Sequence, residues 1–190
     1  MKKIGILGGT FNPPHIGHLI IANEVLDALE LDEIRFMPNY VPPHKEQTEE
    51  VTAYDRLAML ERALYDHPSF IIEGVEIDRK GTSYTFDTMK LLTEQEPDAS
   101  FYFIIGADMI EYLPKWHRID ELLQLVHFVG VKRPNYSEET EYPIIMVDVP
   151  QMFISSSVIR RKLRTGKTVK YLIPDSVVNY IKGNGLYESK

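Results

Sequence analysis

The sequence predicts an α/β protein built on one doubly wound parallel sheet with helices on both faces. Short apolar runs alternate along the chain with segments of helical spacing, which is typical of strand-helix-strand units. The run Phe101–Ile105 is apolar throughout apart from one tyrosine, as expected for a strand buried on both faces of a parallel sheet. The length of 190 residues and the hydrophobic fraction of 44% suit one core, so we expect residues 1–190 to form a single domain.

The first half of the chain shows the alternation most clearly. The apolar run Lys3–Leu7 ends at glycines and leads into His18–Leu29, whose apolar residues follow helical spacing. Glu33–Met37 is then a second short strand, so the first forty residues predict one unit with a right-handed crossover. The pattern continues with a helix at Val51–Tyr65, an extended segment at Phe70–Ile77 and a helix at Tyr84–Thr93.

The second half completes the sheet and closes the domain. Strand Phe101–Ile105 is followed by a helix at Asp120–Leu125, a strand at His127–Val131, a surface loop at Lys132–Tyr142 and a strand at Ile144–Val147. Two final helices are predicted at Ser155–Leu163 and Pro174–Ile181. Ligands of doubly wound, Rossmann-like sheets bind beyond the carboxyl ends of the strands. The functional residues are therefore expected in the loops after Leu7, Met37, Ile105 and Val131.

Composition excludes several kinds of protein. The chain has no cysteine, which excludes disulfides, thiolate nucleophiles and cysteine-ligated metals. A net charge of -7 argues against a general nucleic-acid-binding surface, although a few basic residues can still bind a small anion. The apolar runs are shorter than the roughly 20 residues of a membrane span, and the first run ends at Gly8 and Gly9, too early for a signal peptide. We expect a cytoplasmic protein with no nucleic-acid or membrane partner; whether it forms a homo-oligomer stays open.

The most informative segment is Gly8–His18, GGTFNPPHIGH, which joins the first strand to the first helix. Helix N-termini attract anions, glycines let a phosphate approach the backbone, and imidazoles add donors. His15 and His18 are three residues apart, so both can reach neighbouring phosphate oxygens, and Gly17 leaves that face open. A turn with one capping histidine is the structural alternative, but chance gives His-x-Gly-His in only about one such chain in a hundred. The segment therefore predicts a phosphate site.

Two other phosphate-binding patterns are not met. A dinucleotide-binding oxidoreductase would carry G-x-G-x-x-G and an acidic residue after the second strand, where this chain has Asn39, and no P-loop pattern occurs. A second phosphate signal lies at Ser155–Arg160, where serines begin a helix and Arg160 follows one turn later. Serine at an N-cap with arginine on a solvated face is its common structural alternative.

These two segments, Gly8–His18 and Ser155–Arg160, resemble the signature motifs of the nucleotidyltransferase superfamily, and the resemblance to bacterial nicotinate-nucleotide adenylyltransferases is close. It spans nearly the whole chain and includes Pro42-Pro43-His44-Lys45, Gly106-Ala107-Asp108 and Trp116-His117. Ser157 stands where the family often has threonine, which keeps the hydroxyl.

The resemblance implies transfer of AMP from ATP, accompanied by Mg²⁺, to the 5′-phosphate of nicotinate mononucleotide, with release of pyrophosphate. The acceptor phosphate would attack the α-phosphorus in line, so no covalent enzyme intermediate is needed, and catalysis becomes positioning and charge stabilisation. The catalytic residues implied are His15, His18 and Arg160. Imidazoles beside phosphates are expected to favour the charged form.

The resemblance also implies two sets of binding residues and the closure of the nucleotide site by the last helices, at about 155–185. The set for ATP is Gly8, Gly9, Thr10, Phe11, Ile105, Gly106, Asp108, Ser155 and Ser156. The set for nicotinate mononucleotide is Asn39, His44, Lys45, Thr85, Trp116, His117 and Arg133. Trp116 would stack on the pyridine ring, and no protein side chain is expected to bind the metal. For Asp108 the alternative is a helix N-cap, and residues 40–50 are either an ordered lid or an exposed connection.

Two other functions compete with this interpretation. Phosphopantetheine adenylyltransferases share the His-x-Gly-His loop, but they are typically shorter, and Trp116-His117 and the chain length argue against them. A catalytically silent nucleotide-binding regulator would keep the sheet and the glycines but would have no use for both histidines. Release of pyrophosphate from ATP would separate an enzyme from such a regulator.

Overall fold

The computed structural model describes residues 1–41, 51–82, 84–132 and 140–188. Its sheet has six strands, β1 (Lys2–Gly9), β2 (Glu33–Pro38), β3 (Phe70–Ile72), β4 (Ala99–Gly106), β5 (His127–Val131) and β6 (Ile144–Val147). The order is β3-β2-β1-β4-β5-β6, and every neighbouring pair is parallel. The order reverses between β1 and β4, which places a crevice beyond their carboxyl ends. The doubly wound fold class is confirmed.

Helices cover both faces of this sheet. In the described residues they are α1 (Ile16–Ala28), α2 (Ala53–Leu64), α3 (Val75–Arg79), α4 (Thr85–Gln95), α5 (Ala107–Ile110), α6 (Ile119–Leu125), α7 (Ser156–Arg164) and α8 (Asp175–Gly183). Leu7 of β1 packs into a buried cluster with α1, α2, α7 and α8, whereas Ile4 and Ile6 pack with α4, α5 and α6. The alternation of side chains along one strand thus supplies two separate cores. No helix of the described part is long and apolar enough to cross a membrane.

The main differences from the sequence prediction are short helices. The extended segment predicted at Phe70–Ile77 is wrong in its second half, because β3 ends at Ile72 and α3 begins at Val75. Glu76 and Ile77 are both buried in this helix, so the apolar pattern reflects burial rather than a strand. The four-residue helix α5 was not predicted, since one turn is too short to show a periodic pattern. Most of the predicted loop Lys132–Tyr142 lies outside the described residues.

A cluster of charges joins β2 and β3 to the end of α4. The guanidinium of Arg35 lies 2.7 Å from Glu33 Oε1, 3.2 Å from Glu73 Oε2, and 2.5 and 2.9 Å from the two carboxylate oxygens of Glu96. Burial alone would lower the pKa of Arg35, but the hydrogen bonds that it donates to Glu96 and Glu33 outweigh burial and raise that pKa. The cluster fixes the carboxyl end of α4 to the sheet.

Replacing Arg35 by methionine is expected to lower the free energy of unfolding by about 3 kcal/mol, because Glu33 and Glu73 would lose their largely buried cation. Denaturant titration of both proteins measures this difference. The hydrogen bonds from Arg35 lower the pKa of Glu96, so this part of the stability is present at neutral pH and is lost as the pH falls through the folded-state pKa. The difference should therefore shrink in acid.

Lys90→Met is the matched control, since the ion pair of Lys90 with Glu94 is long, at 3.9 Å, and both side chains are exposed. Equal losses for Lys90→Met and Arg35→Met would contradict the special role of the Arg35 cluster.

Candidate active site

The loop between β1 and α1 holds the two histidines against each other. His15 is the N-cap of α1 and is buried, and its ring stacks on that of His18 with 3.6 Å between centroids. The backbone N–H of His15 donates to Nδ1 of His18 at 3.1 Å. A nitrogen that accepts carries no proton, so this bond assigns the His18 proton to Nε2 and makes Nε2 the donor. The bond thus orients the His18 ring, and the charged form expected beside bound phosphate stays a prediction.

Gly17 is required by the position of the His15 ring. A Cβ atom on Gly17 would lie 3.0 Å from both Cε1 and Nδ1 of His15, closer than side chains normally pack. The glycine in His-x-Gly-His therefore makes room for the first imidazole. On the other side of the pair, Phe11 is buried and presents an edge-to-face contact to His18, with 5.0 Å between ring centroids. Its side chain supports His18 from the core.

The first turn of α1 is less open to anions than its sequence suggests. The N–H of Ile16 donates to the carbonyl of Leu172 at 2.9 Å, and the N–H of His18 donates to that of His15 at 2.9 Å. These N–H groups already have partners within the protein. The imidazoles of His15 and His18 are therefore among the donors that an anion would meet at the start of α1.

The second motif, at the start of α7, contacts the first directly. Ser156 Oγ donates to the carbonyl of Pro13 at 2.9 Å, and Arg160 Nη1 donates to the carbonyl of Asn12 at 2.8 Å. Arg160 Nη2 also donates to Ser157 Oγ at 3.2 Å. Ser155 is the N-cap and accepts from the N–H of Val158, as the structural alternative for this motif predicted. The structure thus brings together two segments that are far apart in the sequence.

Arg56 of α2 is a site residue that the sequence reasoning missed. Its side chain is buried, with 4% of its surface exposed, and it donates to the carbonyls of Thr10 at 2.7 Å, Asn39 at 2.6 Å and Tyr40 at 3.0 Å. Burial lowers the pKa of this guanidinium, and the nearby Tyr187 opposes that effect. A charged residue on the apolar face of a predicted helix was the available signal.

Tyr187, also missed, closes the loop from the carboxyl end of the chain. It is buried, and its hydroxyl donates to the side-chain carbonyl of Asn12. Burial raises the pKa of this phenol. Asn12 is therefore held twice, through its side chain by Tyr187 and through its backbone by Arg160. No local sequence pattern indicates this contact.

The predicted nucleotide residues after β4 also lie at the carboxyl edge of the sheet. Gly106 is the N-cap of α5 and Asp108 lies in its first turn, so the alternative that Asp108 is the N-cap is wrong. The side chain of Ile105 is buried in the core. Gly8 and Gly9 end β1 beside this position.

The residues predicted to bind nicotinate mononucleotide lie at three places in the described structure. Asn39 follows β2 and donates its N–H to Gly9 at 3.1 Å, while Thr85 is the first residue of α4. Trp116 is partly buried and meets Phe103 and Phe128 edge to face, at 6.0 and 5.9 Å between ring centroids. The exposed His117 ring lies 4.8 Å from that of Tyr84, next to Thr85. The remaining three predicted residues, His44, Lys45 and Arg133, lie outside the described residues.

Comparison with known proteins identifies close relatives. The family described as cytidylyltransferase-like matches residues 6–162. A Bacillus subtilis protein named nicotinate-nucleotide adenylyltransferase is 55% identical over 189 residues, which cover 100% of both chains. A Geobacillus thermodenitrificans protein named "probable nicotinate-nucleotide adenylyltransferase" is 60% identical over 190 residues, covering 100% of this chain and 88% of that protein. The structure of Plasmodium falciparum nicotinic acid mononucleotide adenylyltransferase complexed with NaAD matches the fold with a TM-score of 0.84 at 22% identity, covering 98% of each chain.

Gly17→Ala is expected to destabilise the protein and to displace the His15 ring. Alanine in place of a helical glycine normally stabilises by roughly 0.5–1 kcal/mol, but here its Cβ would meet the imidazole at 3.0 Å. Thermal unfolding gives the stability, and the NMR signals of the His15 and His18 imidazole nitrogens report the displacement.

Gly183→Ala is the control, because a Cβ at Gly183, within α8, meets nothing within 4 Å. If Gly17→Ala stabilised the protein as much as Gly183→Ala and left the imidazole signals unchanged, the steric argument would be wrong.

Proposed function

The chain belongs to the cytidylyltransferase-like family and, within it, to the nicotinate-nucleotide adenylyltransferases, and we propose that it transfers AMP from ATP to the 5′-phosphate of nicotinate mononucleotide. The products are nicotinate adenine dinucleotide and pyrophosphate. One observation carries the proposal most directly: the stacked pair His15 and His18 lies at the reversal point of the sheet, on a loop fixed by Ser156 and Arg160. The two relatives with this enzyme name described above are 60% and 55% identical to the chain.

The reaction requires no nucleophile from the protein. An oxygen of the acceptor phosphate forms a bond to the α-phosphorus of ATP while the bond from that phosphorus to the bridging oxygen of pyrophosphate breaks. The leaving electron pair stays on the pyrophosphate, so no adenylyl group is ever bound covalently to the enzyme. What the site supplies is alignment of the two substrates and stabilisation of negative charge on the phosphoryl oxygens.

The two histidines and Arg160 are suited to that stabilisation. The bond from His15 to Nδ1 of His18 orients the His18 ring before substrate arrives, and Nε2 then donates to a phosphate oxygen. His15 stacks beneath it and is proposed to bind a neighbouring oxygen. The guanidinium of Arg160 has further N–H groups beyond its bonds to Asn12 and Ser157, and these are proposed to bind the pyrophosphate portion.

Binding of ATP is proposed to use the carboxyl ends of β1 and β4. Phe11 and Ile105 have buried side chains, so their part in nucleotide binding would be through the backbone. The other proposed contacts are Gly8, Gly9, Thr10, Gly106, Asp108, Ser155 and Ser156. Helices α7 and α8 would then close the nucleotide site, since α7 already contacts the histidine loop.

The metal is proposed to arrive with ATP. Among the residues that the structure describes, no three His, Asp or Glu side chains come together in a way that could hold a metal ion. Mg²⁺ binds readily through the oxygens of substrate phosphates and keeps several waters. We therefore write the donor substrate as the Mg²⁺ complex of ATP.

The acceptor is proposed to lie between the ends of β2 and α4. Trp116 would stack one ring face on the pyridine, since its contacts with Phe103 and Phe128 are edge to face. Backbone N–H groups near Thr85 and His117 would bind the nicotinate carboxylate, with Asn39, His44, Lys45 and Arg133 toward its ribose and phosphate. A carboxylate accepts stronger hydrogen bonds than a neutral carboxamide, so nicotinate mononucleotide should be preferred to nicotinamide mononucleotide.

The decisive experiment supplies ATP and Mg²⁺ with four acceptors in parallel and measures pyrophosphate release. The acceptors are nicotinate mononucleotide, nicotinamide mononucleotide, phosphopantetheine and glycerol phosphate. We expect the highest kcat/KM with nicotinate mononucleotide, because only its carboxylate and pyridine ring match the proposed contacts. Titration of the same ligand should also change the emission of Trp116, the single tryptophan of the chain.

Faster turnover of phosphopantetheine would assign the chain to the competing transferase, and no pyrophosphate release with any acceptor would favour a nucleotide-binding regulator. An unchanged emission of Trp116 on saturation with nicotinate mononucleotide would contradict the stacking.

His18→Ala is expected to lower kcat by about 10²- to 10³-fold while the KM for ATP stays within a few-fold of the parent value. The reason is that Nε2 of His18 is proposed to bind charge that grows during transfer. His67→Ala is the control, since it also removes a stacked imidazole, one lying 3.6 Å from the Phe70 ring at the far edge of the sheet. A His18→Ala variant with nearly parental kcat would remove His18 from the mechanism.

A further inference from the structure

Arg56 connects the loop after β1 to the loop after β2. The sheet itself joins these loops only at their base, where the two strands end. At that base the N–H of Asn39 donates to the carbonyl of Gly9 at 3.1 Å. Beyond it, Nη1 of Arg56 donates to the carbonyl of Thr10 in the loop after β1, at 2.7 Å. Nη2 donates to the carbonyls of Asn39 and Tyr40 after β2, at 2.6 and 3.0 Å. One planar side chain thus bridges both loops with bonds from its two terminal nitrogens.

The bonds of Arg56 are made inside the protein. The side chain is 4% exposed, and the acceptors that the described residues give it are backbone carbonyls and the side-chain carbonyl of Asn39. An arginine buried among carbonyl dipoles keeps its positive charge, which within the described part of the chain is stabilised by these carbonyls. Each loop must therefore keep its carbonyls on this guanidinium, because a lost bond would leave buried charge unsatisfied.

We propose that Arg56 is a positioning residue that couples the binding of the two substrates. This inference rests on the proposed function, in which the loop after β1 binds ATP and the chain after β2 leads to the acceptor. A ligand that orders one loop also fixes the guanidinium, and the guanidinium then holds the carbonyls of the other loop. The second substrate meets a loop that is already ordered and binds more tightly.

Besides Arg56, Asn39 Nδ2 donates across the two loops to Thr10 Oγ1, at the long distance of 3.4 Å. The other anchoring side chains contact the first loop. Arg160 and Ser156 donate to Asn12 and Pro13, and Tyr187 donates to Asn12, all within the first loop. Their loss should disturb the ATP side without uncoupling it from the acceptor. Coupling between the affinities for the two substrates is therefore the property that distinguishes Arg56 from a residue that only stabilises the fold.

Arg56→Lys is the test variant, because lysine keeps the charge but has a single nitrogen that cannot span both loops. The affinity for α,β-methylene ATP, which cannot transfer its AMP group, is measured by calorimetry with and without saturating nicotinate mononucleotide. We expect the acceptor to tighten this binding at least about five-fold in the parent protein. In Arg56→Lys the ratio of the two affinities should fall to near one.

Arg62→Lys is the matched control. Arg62 lies on the same helix but packs over the ring of Tyr180, 4.4 Å away, and donates to Ala58 within α2. It should keep the parental ratio. A parent protein without coupling, or an Arg56→Lys protein that keeps it, would overturn the inference.

Hydrogen exchange on the parent protein decides the matter even if Arg56→Lys fails to fold. Saturation with α,β-methylene ATP alone should slow amide exchange both at Thr10–His15 and at Asn39–Val41. Protection confined to the first segment would contradict the coupling. These outcomes are separate from failure of the proposed function, which would appear as a parent protein that releases no pyrophosphate from ATP and nicotinate mononucleotide.

Discussion

The carbonyl groups of the loop after β1 need hydrogen-bond donors, and the arrangement of the surrounding helices depends on this need. Pro13 and Pro14 have no N–H, so the loop has fewer donors of its own for its carbonyls. Donors come instead from distant elements: Arg56 on α2, and Ser156 and Arg160 on α7. The helices on this face of the sheet are therefore fixed to one loop as well as to the core. Because that loop also carries His15 and His18, the same hydrogen bonds fix the helices and position the two imidazoles.

The sequence predicts those features of the structure that arise from residues close together in the chain. The fold class and the position of the histidine loop were predictable, because strand-helix alternation and the His15, Gly17 and His18 spacing are short-range patterns. Arg56 and Tyr187 were missed because their partners lie 46 and 175 residues away. Helix α3 was mistaken for strand because burial of Ile77 made its sequence resemble an extended segment.

The Ser155–Arg160 segment has a structural role beside its proposed role in catalysis. Ser155 caps α7, while Ser156 and Arg160 fix the histidine loop. In the proposed mechanism Arg160 also binds the leaving pyrophosphate. The side chain that fixes the histidine loop therefore also contacts the negative charge that the histidines stabilise. The negative net charge of -7 does not oppose this, because the cations concerned are gathered at one edge of the sheet.

The contact of Tyr187 with Asn12 has a consequence for the biosynthesis of the protein itself. The two partners lie 175 residues apart in the sequence. A nascent chain emerges from its amino-terminal side first, so the histidine loop leaves the ribosome long before Tyr187 does. The bond between Tyr187 and Asn12 can form only after Tyr187 has been synthesised and has left the ribosome. A transcript truncated upstream of Tyr187 would then encode a sheet whose histidine loop never acquires this bond.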